Sequence, residues 1–268
     1  MKKFKISQIQ FQAKATPDQN AKLLVKLFKQ ALKYNPNLIC TPECSNIITH
    51  DKKHLFQFAT YQNNCPIIKE ARIFAKKYKV NINIGSLLLK IKGNRKLANR
   101  SILINKEGEI QSTYNKIHLF DVDINTRETH RESHSFIRGN KIVMSKVDGV
   151  NIGLTICYDL RFPNLYRQLS KRGAQIILIP AAFTVPTGKA HWETLIRARA
   201  IENSVFIVAT NMCGTHHSGR KTYGHSFLFD PWGRTENKCL SKPKILNTAI
   251  DLNEISRVRS KLPSIYND

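Results

Sequence analysis

Four consecutive apolar residues, Ile176-Ile177-Leu178-Ile179, form the centre of a short segment running from Gln175 to Phe183. Successive side chains of a strand point to opposite faces, so a strand that is apolar at every position needs cover on both sides. This calls for an α/β layered fold, and the neighbouring segments agree. Phe4 to Phe11 alternates as a half-buried strand would, and Thr16-Pro17-Asp18 then opens a helix with Leu23, Leu24, Leu27 and Leu32 on one face. Asn37 to Thr41 is a short apolar run, Pro66 to Tyr78 reads as an amphipathic helix, and Val80 to Ile91 and Ala98 to Asn105 read as strands with a turn at Lys106-Glu107-Gly108-Glu109. Further on come a strand (Val150 to Cys157), a helix (Pro163 to Arg172), the Gln175 to Phe183 strand, a helix (His191 to Asn203), and strands at Val205 to Met212 and Ser226 to Asp230.

Length and composition bound the class. The chain has 268 residues, 41% of them hydrophobic, which suffices for a substantial core. With no linker, repeat or low-complexity tract, the expectation is one domain over residues 1–268, since α/β domains of about 250 residues are common. No apolar stretch approaches the about 20 residues of a membrane span, and Met1-Lys2-Lys3-Phe4 leads straight into an alternating strand, so no membrane partner and a cytoplasmic location are expected. Cysteines at 40, 44, 65, 157, 213 and 239 form no CxxC pair and read as reduced thiols. The 43 Lys and Arg exceed the 19 Asp and Glu by 24. Because the basic residues are scattered and never run to five in a row, surface bias explains most of this excess better than a specific nucleic-acid partner.

Three segments have the residue types for chemistry. In Gly153-Leu154-Thr155-Ile156-Cys157-Tyr158-Asp159-Leu160-Arg161-Phe162-Pro163 an apolar strand delivers a thiol to a turn before a helix. Unpaired N–H groups there would favour a thiolate and hold an oxyanion, although a buried structural cysteine fits the same position. In Leu38-Ile39-Cys40-Thr41-Pro42-Glu43 a strand ends in a carboxylate, and an apolar mouth would raise its pKa toward the range of a general base. Lys116 closes a strand and opens a polar segment of about 25 residues, longer than an ordinary connection. A cysteine nucleophile needs both a base and a cation for its oxyanion, which gives Lys116 meaning beside Glu43 and Cys157.

Other arrangements compete. Cys157 could pair with His118, His191 or His225 as in papain-like proteases, but no such spacing surrounds it. Cys213, His216 and His217 offer three metal ligands without a second pair at zinc spacing, so no metal is expected. Lys221 to Phe229 distantly echoes an RNA-binding strand, with Thr222 and His225 where Gly and an aromatic belong.

Pro42-Glu43, YNKIHLFDVD around Lys116, GLTICYDLRFP around Cys157 and PAAFTVPTGKAHWETLIRARAIEN from Pro180 to Asn203 together resemble the nitrilase (carbon–nitrogen hydrolase) superfamily over nearly the whole chain. The resemblance implies a four-layer α-β-β-α sandwich with Glu43, Lys116 and Cys157 as catalytic set. It further implies that Cys157 attacks an amide carbonyl to form a thioester with release of ammonia, that Glu43 is the base, and that Lys116 and the Tyr158 N–H stabilise the oxyanion. By the same resemblance Glu132 positions substrate and water, Arg161 binds a substrate carboxylate, and Phe183 and Thr187 occupy pocket positions. The segments Cys213 to His217, Tyr223 to Ser226 and Asp230 to Gly233 are similar to the Nit branch, with its deaminated-glutathione amidases and ω-amidases. The implied enzyme is a cofactor-free amidase of a small carboxylated amide, at least a homodimer, with N-carbamoyl amide hydrolysis as the alternative reaction.

Overall fold

Thr16 caps the first helix: its Oγ1 accepts from the Gln19 N–H at 3.4 Å, and Pro17 brings the preset φ of a first helical position. The helix Pro17–Leu32 buries Ala21, Leu24, Phe28 and Ala31 along one stripe. Pro66 opens Pro66–Tyr78 likewise, and the left-handed Lys79, at φ 51°, ends it. Its Phe74 ring meets Phe28 at 5.4 Å, so the two helices form one layer. The computed structural model describes residues 3–125 and 128–267. Met1, Lys2 and Asp268 lie outside the described residues, as do residues 126 and 127 of the long polar segment.

Beneath those helices lies a sheet whose hydrogen-bonded order is Lys244–Ile250, Phe4–Gln10, Leu38–Cys40, Asn81–Lys90, Leu97–Ile104 and Ile110–Asn115. A second sheet runs Thr235–Lys238, Phe227–Phe229, Phe206–Asn211, Ile176–Ala181, Val150–Leu154 and Val143–Val147. Its central strands are parallel, with Ile152 opposite Ile176 and Ile176 opposite Phe206. The helices Pro163–Lys171 and Glu193–Asn203 cover its outer face with Leu165, Leu169, Ile196 and Ala200. Between the sheets, Ile6, Leu38 and Leu103 share a buried cluster with Ile152, Leu178 and Val208. Ile177 instead sits beside Gly153, against Leu169 of the outer helix. The apolar run at 176–179 is therefore buried on both faces, and the architecture is the four-layer α-β-β-α sandwich.

Glutamines lace the sheets together. Gln8 Nε2 donates to the carbonyls of Ala209 (3.0 Å) and Phe227 (3.1 Å) and to Thr210 Oγ1 (3.2 Å). Gln10 Oε1 accepts from the Ser226 N–H at 2.9 Å. Inside an apolar layer such bonds supply partners that water cannot.

Several expectations are adjusted. The strand expected to reach Cys157 stops at Leu154, because the Thr155 hydroxyl turns to donate to the Leu178 carbonyl at 2.7 Å and Cys157 adopts a left-handed φ of 47°. The helix expected from His191 begins as a wider π-type turn, Gly188–Trp192, and becomes regular at Glu193. The long polar segment is not irregular throughout: it contains the paired strands Asp121–Asn125 and Glu128–Arg131 and a single 3₁₀ turn, Glu132–His134. No helix among the described residues is long and apolar enough to cross a membrane.

Replacing Gln8 by Met keeps the volume but removes the donor to the Ala209 and Phe227 carbonyls. We expect a loss of about 1–3 kcal/mol in unfolding free energy by denaturant titration. Ile73→Ala, at a side chain 53% exposed, is expected to stay within about 0.5 kcal/mol of the parent protein.

Candidate active site

The ends of the strands determine where the three chemical side chains meet. After Leu38–Cys40 the chain bends at Pro42, where Ser45 Oγ donates to the Pro42 carbonyl (2.8 Å) and the left-handed Cys44 (φ 58°) donates its N–H to Ser86 Oγ (2.9 Å). The bend points Glu43 inward. Gly85 allows it: a Cβ there would lie 2.0 Å from the Thr41 carbonyl oxygen and 2.5 Å from Pro180 Cβ, so the sheets approach this closely only over a bare backbone. Lys116 follows Ile110–Asn115 and donates its backbone N–H to the Asn99 carbonyl at 2.9 Å. Cys157 opens the 3₁₀ turn Cys157–Arg161. Asp159 holds that turn, accepting from the Ile156 N–H (2.9 Å), the Tyr114 hydroxyl (2.7 Å) and the His118 N–H (3.0 Å).

At the floor of the resulting cavity, Lys116 Nζ lies 2.9 Å from Glu43 Oε1 and 2.9 Å from Glu132 Oε2. Asn99 Nδ2 donates to Glu43 Oε1 (2.8 Å) and Glu132 Oε1 (3.2 Å), and Phe120 N–H donates to Glu132 Oε2 (2.7 Å). The second Glu43 oxygen accepts from the Ala182 N–H at 2.9 Å, which ties the group to the other sheet. The Cys157 thiol also hydrogen-bonds Glu43.

The charges follow from this packing. Burial by itself would raise the Glu43 pKa, but the Lys116 charge and hydrogen bonds from Cys157, Lys116 and Asn99 reverse the direction and hold it below the ordinary carboxylate range. Burial would likewise lower Lys116, yet Glu132 and Glu43 outweigh it and keep the ammonium well above the usual lysine range. Cys157 is pushed well above a free thiol, first by burial and then by the Glu43 charge. Both pKa directions expected from strand-end position are thus corrected: the carboxyl goes down because a cation touches it, and the thiol goes up because it is buried and a carboxylate faces it.

The cavity encloses about 930 Å³ with its mouth, and Glu43, Lys116, Glu132, Cys157, Tyr158, Phe183 and Thr187 all line it. Arg161 is not among the lining residues. Its guanidinium sits 5.8 Å from the centre of the Tyr158 ring and 5.7 Å from that of Phe183, with Nη2 3.2 Å from His191 Nδ1. The histidines of the protease alternative are committed elsewhere. His118 Nδ1 is 2.7 Å from Asp159, His225 Nδ1 is 2.8 Å from the Tyr223 carbonyl, and neither lines the cavity. His216 Nε2 meets Thr222 Oγ1 at 2.7 Å while His217 stacks on His54, so His216 and His217 point to separate partners. Phe227 and Phe229 are buried between layers, which removes the exposed stacking surface an RNA-binding strand needs. Sequence reasoning missed Asn99, a polar residue in the buried run Leu97–Ile104, and the cavity-lining cations Lys52, Arg131 and Arg220.

Comparison with known proteins agrees with this geometry. The family description carbon–nitrogen hydrolase matches residues 5–260. A deaminated glutathione amidase from Dictyostelium discoideum is 36% identical over 92% of the chain and 87% of its own length, and the human deaminated glutathione amidase is 34% identical over 94% and 79%. Among solved structures, the Caenorhabditis elegans NitFhit protein superposes with a TM-score of 0.92 at 31% identity, over 100% of this chain and 66% of that one. Saccharomyces cerevisiae Nit3, described as a member of branch 10 of the nitrilase superfamily, gives 0.88 at 25% identity, over 98% and 95%. The chain therefore belongs to the carbon–nitrogen hydrolase family, and it is a hydrolase acting on carbon–nitrogen bonds.

Proposed function

We propose that the chain is an amidase that hydrolyses a small carboxylated amide of the deaminated-glutathione or 2-oxoglutaramate type through a Cys157 thioester. The observation that carries this is the contact of a protonated, buried thiol with a carboxylate that also touches a buried ammonium. Glu43 takes the thiol proton as Sγ bonds to the amide carbon. The carbonyl oxygen becomes an oxyanion, held by Lys116 Nζ and by the Tyr158 N–H, which stands in the first turn of a helical segment where N–H groups have no partner within the turn. Glu43 returns the proton to the nitrogen and the C–N bond breaks, so that the nitrogen of a primary amide leaves as ammonia while the acyl group stays on sulfur. Water, deprotonated by Glu43, then cleaves the thioester, and the proton goes back to the departing sulfur.

Glu132 keeps Lys116 aligned and helps place substrate and water. Phe183 and Thr187 shape the pocket wall, and Arg161, against the rings of Tyr158 and Phe183, supplies charge for a substrate carboxylate. We read residues 1–268 as one such unit, cytoplasmic, needing no cofactor, and assembling at least as a homodimer. Light scattering tests the assembly, and a monomer would contradict it.

Cys157→Ala, checked for native circular dichroism, is expected to lower ammonia release from a 2-oxo dicarboxylate amide by at least about 10³-fold and to abolish the acyl adduct seen by mass spectrometry with the parent enzyme. Persistent turnover in this variant would overturn the mechanism. The pH profile gives a separate check. The active form has Glu43 ionised and both Cys157 and Lys116 protonated, so kcat/KM should fall only as pH drops through the depressed Glu43 pKa, below the ordinary 4.5. It should then stay level through neutrality, because the thiol and ammonium lose protons well above their ordinary 9.0 and 10.5. An acid limb near pH 6–7 would point to a histidine base.

A further inference from the structure

Above the Glu43–Lys116–Glu132 floor, the mouth of the cavity is built from two distant segments. One carries Thr49 to Lys52, the other is the turn His217 to Arg220 that closes the small hairpin Cys213–Thr215/Lys221–Tyr223. Ser218 joins them: its Oγ accepts from the His50 N–H at 2.8 Å and lies 3.1 Å from Thr49 Oγ1. The His217 ring stacks on His54 at 4.2 Å, on the helix that Lys52 begins. Ser218 holds a left-handed φ of 62° to make this contact, a conformation that costs a non-glycine residue energy and persists where the surroundings enforce it. The braced rim places two cations, Arg220 and Lys52, on the cavity.

Among the described residues, their charges have no protein partner. Arg220, half-buried, makes no side-chain hydrogen bond or ion pair among the described residues, and Lys52 makes none either. The other cavity cations are satisfied: Lys116 by Glu43 and Glu132, and Arg131 by both Asp123 oxygens at 2.7 Å. The rim carboxylate, Asp51, turns to the N–H groups of Lys53 (2.8 Å) and His54 (3.2 Å). A half-buried guanidinium without a counter-ion, facing a cavity, is matched best by a carboxylate that its planar fork can grip through two parallel bonds.

We propose that Arg220, assisted by Lys52, is a specificity-determining anion site that binds a carboxylate carried by the substrate at the end remote from the bond being broken. This deepens the amidase reading and rests on it for the word substrate. The preferred ligand then bears negative charge beyond whatever Arg161 meets, and a substrate lacking the remote charge binds weakly while reacting at a similar rate once bound.

The test separates binding from turnover. On a Cys157→Ala background, calorimetry measures the affinity of glutarylglycine and of glutaramoylglycine, in which the carboxylate farther from the central amide, at the glutaryl end, is blocked as an amide. The blocked probe is expected to bind about 10- to 100-fold more weakly, and Arg220→Ala or Arg220→Gln to erase that difference. Arg220→Lys should retain part of it, and Lys52→Ala should reduce it about 2- to 5-fold. Equal binding of the two probes, no binding of either, or a difference that survives both Arg220→Ala and Arg220→Gln would overturn the proposal. If the difference is present but the enzyme with Cys157 intact hydrolyses neither probe nor any 2-oxo dicarboxylate amide, the rim site stands and the amidase reading falls.

Discussion

A single ammonium group between two carboxylates, all withdrawn from water, sets the requirements for everything around it. Lys116 and Glu43 are each about 3–4% exposed in their side chains, and Glu132 only 12%. Ions in such a place cost several kcal/mol each to desolvate unless contacts are close and every remaining lone pair is used. The chain meets that demand with the Asn99 amide, the Phe120 N–H and the Ala182 N–H. These donors come from both sheets and from the long segment after Lys116, so the cluster is stable only when the whole sandwich has closed on it. The same closeness keeps the thiol protonated until a substrate carbonyl offers the sulfur a bond, which suits a nucleophile that must stay inert toward stray electrophiles.

Much of the layering was legible in the sequence because it rests on local patterns. The run Ile176 to Ile179 needed no partner to declare that it was buried twice over, and Thr16-Pro17 announced its helix through capping chemistry. The last strand, Lys244–Ile250, was missed. It lies at a sheet edge with exposed Lys244 and Asn247, and its pairing with Phe4–Gln10 is a contact across more than 230 residues that no local period reveals.

The site was legible as residue types at strand ends, and less so as electrostatics. Reading Glu43 and Cys157 one at a time suggested a raised carboxyl and a lowered thiol, since each was judged against an apolar surrounding and helix-start N–H groups. The carboxyl is lowered by Lys116 against its burial, and the thiol is raised by burial and then by the Glu43 charge. Asn99 escaped because an asparagine in a strand looks like a surface position until its neighbours are known. Arg220 escaped for a related reason: among 43 basic residues nothing distinguishes it in sequence, and its placement depends on Ser218 reaching a segment about 170 residues away.

The pairing of Phe4 with Ile250 and of Gln10 with Lys244 also has a consequence for biosynthesis. As the ribosome releases the chain, the strand Phe4–Gln10 emerges long before Lys244–Ile250 and finds its parallel neighbour Leu38–Cys40 early. Its other edge stays unsatisfied until the more than 230 residues between the two strands have been made, and an open edge of this kind is a template for pairing with another nascent chain. Contacts of such long sequence separation form late and slowly. The sheet thus stays unfinished through most of this chain's translation, and Lys244–Ile250 is the strip that seals it.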